Sequence, residues 1–144
     1  VTDGGASVLV MSEEAAKRHD VNVMAHVIAA TQAGVAPSIM GMGPVPAMQE
    51  LMEFLKIAIA DIDLIELNEA FAAQVLAVDQ ELQLDHERLN VNGGAIALGH
   101  PIGCTGTRIL VTLLHEMVRR DAKRGVATLC VSGGMGSSLL VERS

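Results

Sequence analysis

The chain has 144 residues, of which half are hydrophobic and 19% are charged, so it carries enough apolar side chains to fold around a core. Its formal net charge of −7 and its lack of Trp and Tyr disfavour binding to nucleic acid, which needs a basic face and aromatic stacking platforms. No apolar run reaches the roughly 18 residues that span a bilayer and no secretory signal opens the chain, so we expect a cytoplasmic protein or one of an organellar matrix.

The first third of the chain alternates between strand and helix patterns. Residues 7–12 form a β-rich run, and Ser12 with the acidic residues after it predicts the start of a short helix over residues 13–19. β-Branched side chains predict a longer strand over residues 21–35. Prolines and glycines then predict a loop, after which Pro46 opens a helix. The apolar face of that helix is formed by Met48, Leu51, Met52 and Leu55.

The remainder of the chain continues the alternation and ends in two adjacent strands. Residues 62–67 predict a strand that gives way at Asn68 to a helix from about Glu69. A glycine-rich loop precedes a second helix with a C-terminal cap at Gly125, and residues 126–132 and 137–143 predict an antiparallel pair. The apolar stripe of the second helix is Ile109, Leu110, Leu113, Leu114 and Met117. This order predicts a layered α/β fold with helices against a mixed sheet.

The cysteines and the apolar content constrain the environment of the chain. Cys104 and Cys130 are too few for a disulfide framework, and no cysteine or histidine pairing has the spacing of a metal site, so we expect reduced thiols and no metal. The apolar content is high for a lone domain, which predicts that a partner chain or second domain covers part of the surface. The chain starts at Val1 inside a turn-like sequence and is expected to come from a longer one.

Three segments place a chemically capable side chain at the end of a strand or at the junction of a loop and a helix. They are "ELNEAF" around Asn68, "GHPIGC" around His100 and "CVSGGMG" from Cys130. Such positions are where α/β folds assemble active sites. Taken singly, each residue also has a structural interpretation. Asn68 would cap a helix, His100 would be a loop histidine held by its own hydrogen bonds, and Cys130 would be a small buried hydrophobe.

Taken together, these segments resemble the signature loops of the thiolase family. "NEAFAAQ", "NVNGGAIALGHPIGCTGTRI" and "CVSGGMG" are similar to three loops of a thiolase C-terminal half and follow the same order, while "DGGASVLVMSEEAA" and "MGMGPVPA" are similar to earlier segments. The resemblance implies that residues 1–144 form one thiolase C-terminal domain. It also implies acyl transfer between 3-ketoacyl-CoA and CoA, by thiolytic cleavage or reverse Claisen condensation, with coenzyme A as substrate and no separate cofactor.

The resemblance assigns roles to individual residues. Condensation next to a thioester requires removal of an α-proton and donors aimed at the developing oxyanion. By the family pattern, Cys130 takes or returns that proton, His100 activates a nucleophilic cysteine and donates to an oxyanion, and Asn68 holds a water that donates to the same oxygen. Phe71 and Met40 occupy positions that line the acyl pocket, with a core position as the alternative. Glu69 is expected to support a helix dipole, with a role as general base as the alternative, and Cys104 is expected to serve in packing.

The backbone of the glycine-rich loop also has an expected use. Gly93, Gly94 and Gly99 would let the loop turn tightly under the substrate, and Pro101 would bias His100 towards an extended backbone. The backbone N–H of Ser132 would help form a second oxyanion hole. The family usually has Gly at this place, and Ser has less conformational freedom than Gly.

The larger departure from the family is that the nucleophilic cysteine and most CoA contacts belong to an N-terminal half outside these residues. The favoured interpretation is therefore the C-terminal portion of a thiolase that works with an N-terminal half, in a dimer or tetramer. A non-catalytic half that serves only as a structural or interaction domain is the first alternative. A standalone protein that cradles phosphate in the glycine-rich loop is the second, although the loop lacks the P-loop lysine and the G-x-G-x-x-G spacing.

Overall fold

A computed structural model describes residues 2–144 and contains one four-stranded mixed sheet. The strands are β1 (His26–Gly34), β2 (Leu64–Leu67), β3 (Arg124–Val131) and β4 (Met135–Glu142), in the spatial order β1-β4-β3-β2. β4 runs antiparallel to both β1 and β3, whereas β2 and β3 are parallel. The predicted α/β fold with a closing antiparallel pair is confirmed.

Five α-helices connect and cover the strands. They are α1 (Glu13–Arg18), α2 (Pro44–Leu55), α3 (Ala72–Leu82), α4 (Ala95–Leu98) and α5 (Thr105–Arg120). Two short 3-10 helices, Pro37–Met42 and Ile59–Asp61, flank α2. Within residues 2–144, none of the helices combines the length and the apolar character that crossing a membrane would require.

The sheet separates two apolar cores, so the architecture is three-layered. On one face α2 and α3 pack against side chains such as Ile65, Val126 and Leu140. On the other face α5 packs against Leu64, Ala127 and Val141. Successive residues of a strand point to opposite faces, which is why neighbours such as Leu64 and Ile65 belong to different cores. Of the predicted face of α2, Met48 and Leu51 are fully buried and Met52 and Leu55 pack at its margin.

Several boundaries differ from the sequence-based expectation. Residues 7–12 are irregular, because no strand in the described part of the chain pairs with them. The strand expected from residue 21 begins at His26, where pairing with Glu142 of β4 begins. Helix α3 begins at Ala72 instead of Glu69, because the N–H of Asn68 still donates to the carbonyl of Thr128 at 2.9 Å and continues the sheet.

The three longest helices end in the same way. Their C-caps, Lys56, Gln83 and Asp121, have φ of 55°, 53° and 54°, the left-handed conformation that usually selects glycine. The prediction that Gly125 caps the last long helix is therefore wrong. Gly125 lies within β3, where an added Cβ would collide with Met117 and Leu113 of α5, so it allows close packing of helix on strand.

Two glycines bring the start of α2 against the β3–β4 hairpin. A Cβ on Gly136 would overlap the carbonyl group of Gly43, and one on Gly43 would overlap the backbone of Met135. Both obstacles are backbone atoms, which cannot rotate away as a side chain can. The contact fixes the hairpin that carries Cys130 against the segment that carries Met40.

Candidate functional site

The predicted site residues gather at the carboxyl end of the parallel pair β2 and β3. Asn68 directly follows β2, and its N–H donates to Thr128 of β3 at 2.9 Å. Cys130 lies two residues beyond Thr128 on the same strand. The carboxyl edge of parallel strands is where α/β folds commonly place their ligand sites. His100 arrives at this edge from the glycine-rich loop.

Asn68 and His100 contact each other through their side chains. The amide nitrogen Nδ2 of Asn68 is 3.5 Å from Nε2 of His100. Asn68 is 1% exposed, and its Oδ1 is buried with no hydrogen-bond partner within residues 2–144. A buried amide oxygen without a partner is costly, so this atom is suited to accept from a water or ligand proton.

His100 is held from its other ring nitrogen by Thr105, the first residue of α5. Nδ1 of His100 is 2.7 Å from Oγ1 of Thr105. Burial and the nearby positive charge of Arg108 lower the pKa of His100 below its ordinary value. Both effects disfavour the imidazolium form, so the ring is neutral near pH 7 and can accept a proton.

Cys130 provides a partly buried thiol on β3. Burial raises the pKa of Cys130 above its ordinary value, so the group is a thiol and not a thiolate near pH 7. Among the described residues, no hydrogen bond joins its sulfur to Asn68 or to His100. The structure therefore places Cys130 at the same sheet edge but pairs only the other two directly.

Glu69 ties the glycine-rich loop to the end of β2. Its Oε2 accepts from the N–H of Ile96 at 2.9 Å, and its Oε1 accepts from Nδ2 of Asn90 at 3.2 Å. A Cβ on Gly94 would collide with the same carboxylate. The prediction that Glu69 supports the dipole of its own helix is wrong, because Glu69 precedes α3 and its carboxylate instead binds the first turn of α4.

Asn90 anchors the start of the loop. Its Oδ1 accepts from the N–H of Leu67 and its Nδ2 donates to the carbonyl of Leu67, each at 2.9 Å. The side-chain amide thus satisfies both backbone groups of the last residue of β2. Asn90 has φ of 45°, a conformation that Asn tolerates better than most residues. Sequence reasoning used Asn90 only as the first letter of a motif and missed this role.

A second carboxylate holds the loop from α5. Oε2 of Glu116 accepts from Nδ2 of Asn92 at 3.0 Å and from Nε of Arg119 at 2.8 Å, and Arg120 also binds Glu116. Hydrogen bonds from Arg119 and Asn92 hold the pKa of Glu116 at about 2. The loop that delivers His100 is thus fixed on both sides by buried or partly buried carboxylates.

The expected turns of the loop are present at two of its glycines. Gly93 and Gly99 have φ of 80° and 91°, a region that side-chain-bearing residues rarely adopt. Ser132 lies exposed in the turn between β3 and β4, and its φ is outside the left-handed region. The backbone at this position therefore has a conformation that serine adopts without strain.

The two predicted pocket residues have different surroundings. Phe71 is 67% exposed, which excludes a core position for it in this structure. Met40 is half-buried in the 3-10 helix Pro37–Met42.

Cys104 is half-buried at the start of α5, close to where a Cβ on Gly4 would lie. Within residues 2–144, no cluster of three His, Cys, Asp or Glu side chains could hold a metal ion.

A buried acid lies below the site. Glu66 of β2 is 4% exposed on the face that packs against α5. Burial raises the pKa of Glu66 to about 8, although the charge of Arg108 acts in the opposite direction. Nε and Nη2 of Arg108 are buried and lack hydrogen-bond partners in the described structure. Sequence reasoning missed both residues, because a single Glu inside an apolar strand was the only signal.

An apolar groove of about 710 Å³ lies apart from these residues. It is bounded by residues 7–13, residues 21–28, the middle of α5 and Val141, and none of the predicted site residues lines it. Leu9 and Val10 beside it are 77% and 74% exposed. Exposed apolar surface of this kind agrees with the expectation that another domain or chain covers part of the molecule.

Comparisons with known proteins agree with the geometry. A family model for "Thiolase, C-terminal domain" matches residues 21–143. The acetyl-CoA acetyltransferase of Thiocystis violacea is 54% identical over 143 residues, which are 99% of this chain and 36% of that protein. The chain therefore spans about a third of the length of the curated relatives that it matches.

Solved structures give the same result. The acetyl-CoA acetyltransferase of Bacillus anthracis is similar with a TM-score of 0.90 and 52% identity, over 92% of this chain and 34% of that one. Human mitochondrial 3-ketoacyl-CoA thiolase, solved in complex with CoA, is similar with a TM-score of 0.89 and 45% identity over the same shares.

Proposed function

The chain belongs to the thiolase family as its C-terminal domain, and from this premise we propose that it supplies the acid–base part of an acyl-CoA acyltransferase. The reaction is acyl transfer between 3-ketoacyl-CoA and CoA, as cleavage or as the reverse condensation. Coenzyme A is a substrate here, and no further cofactor is required. The similar human mitochondrial 3-ketoacyl-CoA thiolase was solved in complex with CoA, which supports this choice of substrate.

The observation that carries the proposal is the contact between Asn68 and His100. A neutral imidazole whose Nε2 faces a buried amide can take the proton of an attacking thiol and then donate it to a developing oxyanion. Oδ1 of Asn68, which has no hydrogen-bond partner within residues 2–144, is suited to hold a water that donates to the same oxygen.

Cys130 would handle the second proton. Its raised pKa keeps a proton on the sulfur, so in cleavage it can protonate the carbanion as the carbon–carbon bond breaks. In condensation the thiolate removes the α-proton of the second thioester. The backbone N–H of Ser132 and the turn at Gly99 would stabilise the substrate oxygen, while Phe71 and Met40 would line the acyl side of the pocket.

The nucleophilic cysteine must come from residues outside this chain. Cys130 is assigned to proton transfer, and Cys104 is half-buried beside Pro101 at the start of α5. We therefore place an N-terminal thiolase half next to the sheet edge that carries Asn68 and His100. The family resemblance also implies a dimer or tetramer, which the mass of the intact enzyme in solution would check.

The test uses the protein as its own cells make it. Denaturing intact-mass spectrometry identifies the polypeptide that carries this chain and everything that co-purifies with it, and thiolysis of acetoacetyl-CoA is then measured. We expect turnover in material that contains an N-terminal half. His100→Ala and Cys130→Ala should each lower kcat by on the order of 10²–10⁴, the usual contribution of a general acid or base.

Two matched variants control for non-specific damage. His86→Ala, at an exposed position outside the apolar groove, and Cys104→Ala should leave kcat within a few-fold of the wild type. Turnover that survives both His100→Ala and Cys130→Ala would contradict the assigned roles. Material that holds no N-terminal half and shows no turnover would instead favour a structural or interaction domain, the alternative that the exposed apolar groove suggests.

A further inference from the structure

The hydroxyl of Thr105 lies between two groups and has only one proton to give. Oγ1 is 2.7 Å from Nδ1 of His100 and 3.0 Å from the carbonyl oxygen of Pro101. Thr105 is fully buried, so water does not compete for these contacts. Which nitrogen of His100 carries the proton therefore depends on where the Thr105 hydroxyl points.

The carbonyl oxygen of Pro101 determines in which direction the hydroxyl proton of Thr105 points. A carbonyl oxygen can only accept, so the hydroxyl proton of Thr105 must lie on the line to Pro101 for that contact to be attractive. If the hydroxyl turned towards His100, two oxygens would face each other at 3.0 Å without a proton between them. The oxygen of Thr105 consequently accepts, and Nδ1 of His100 is the donor.

We propose that Thr105 is a positioning residue that fixes His100 as the tautomer with its proton on Nδ1 and an unprotonated Nε2. The hydrogen bond at one ring nitrogen sets the protonation of the other. The contact at the other nitrogen is compatible with this tautomer, because Nδ2 of Asn68, 3.5 Å away, is a donor and an unprotonated Nε2 is an acceptor. Thr105 thus leaves Nε2 of His100 available as the base for the attacking thiol, and Thr105 itself does not contact that thiol.

The position of Thr105 explains how the fold provides this control. Thr105 is the first residue of α5, and its N–H also donates to the carbonyl of Pro101, at 2.9 Å. The hydroxyl is therefore fixed by the same turn that carries His100 into the site. A loop histidine without this support could rotate or exchange tautomers.

The consequence for the reaction rests on the function proposed above, but the tautomer itself does not. Histidine ¹⁵N NMR of the purified wild-type protein measures it directly, with His100 assigned by its loss in His100→Ala. We expect a protonated Nδ1 and an unprotonated Nε2 at pH 7. A protonated Nε2 would overturn the proposal, whether or not the enzyme is active.

Variants test the role in catalysis. Thr105→Val keeps the shape but removes the acceptor, and should lower kcat about 10- to 100-fold, as loss of an outer partner of a functional histidine does in metal sites, with little change in KM. Thr105→Ser should restore kcat to within a few-fold. The ¹⁵N spectrum of Thr105→Val should show His100 moving towards a protonated Nε2.

A threonine on the same helix serves as the control. Oγ1 of Thr112 donates to the carbonyl of Arg108 at 3.1 Å, so Thr112→Val also removes one helix-side hydroxyl. It should leave kcat and the His100 spectrum unchanged. Equal losses in Thr105→Val and Thr112→Val, or no loss in either, would contradict the proposal. A correct tautomer without turnover would contradict the proposed function and leave the tautomer assignment intact.

Discussion

Individual carboxylates and amides hold the loop that carries His100. Glu69 binds both Asn90 and the first turn of α4, and Asn90 binds both backbone groups of Leu67. These bonds connect β2, which Asn68 directly follows, with the loop that carries His100. The distance between the two site residues is therefore determined by groups that do not contact the reacting atoms.

Removing the Glu69 carboxylate should weaken the site and the fold together. Glu69→Ala leaves Nδ2 of Asn90 and the N–H of Ile96 without this acceptor, and hydrogen bonds to a charged group contribute about 1.5–3 kcal/mol. We expect a decrease of this order in the free energy of unfolding, measured by urea titration with far-UV circular dichroism, and a lower kcat. Glu53→Ala, at an exposed position of α2, is the control. Equal stability of the two variants would contradict the assignment.

The sequence predicted some of these residues and not others for a clear reason. Asn68, His100 and Cys130 stand at strand ends and loop junctions in recognisable motifs, and the structure brings Asn68 and His100 into contact. Thr105 was missed because its role depends on a hydroxyl that folds back on the loop five residues earlier. Glu69 was misassigned because its partners are more than 20 residues away in the chain.

Strands and helices follow the hydrophobic pattern except at their ends. The ends are set by contacts that a pattern does not contain. Asn68 continues the sheet through Thr128 and delays α3 to Ala72, and residues 7–12 remain irregular because the described chain offers them no partner strand. The pattern therefore predicts which elements exist, while their neighbours determine where they stop.

The approach of α2 to the β3–β4 hairpin gives a test with two glycines. Gly136→Ala places a methyl group against the backbone of Gly43, so we expect destabilisation by about 3 kcal/mol or more. Gly106 occupies an exposed position in the first turn of α5, where an added Cβ would lie 3.9 Å from Leu129, so Gly106→Ala should stabilise the fold by about 0.5–1 kcal/mol. Thermal unfolding of both variants measures the contrast. Similar shifts in both would show that the hairpin contact is not tight.

The chain has a formal net charge of −7, and one of its buried acids, Glu66, has a raised pKa. The side chain of Glu66 in β2 packs towards α5, and the charge of Arg108, whose Nε and Nη2 have no hydrogen-bond partner within residues 2–144, acts on it. The folded state raises the pKa of Glu66 from 4.5 to about 8, so it binds this proton more tightly than the unfolded chain does. The stability contributed by neutral Glu66 is complete below about pH 4.5 and is lost as the pH rises to about 8.

Glu66→Gln should remove this pH dependence, because Gln does not ionise. We expect the variant to resemble the wild type near pH 4.5 and to be more stable at pH 8, with a difference that grows by at most about 1.4 kcal/mol per pH unit. Urea unfolding at four pH values between 5 and 8 measures it. Glu53→Gln on the surface is the control, and a Glu66→Gln difference that stays constant with pH would contradict the buried acid.

The left-handed C-caps of the three longest helices have a consequence for evolution and engineering. Lys56, Gln83 and Asp121 each hold a conformation that disfavours a side chain by roughly 1–2 kcal/mol. All three lie outside the group of residues that binds and orients His100. Replacing these residues by glycine or asparagine should therefore raise the thermal stability of the protein without changing its candidate site. We expect relatives from warmer habitats to carry glycine or asparagine at these positions.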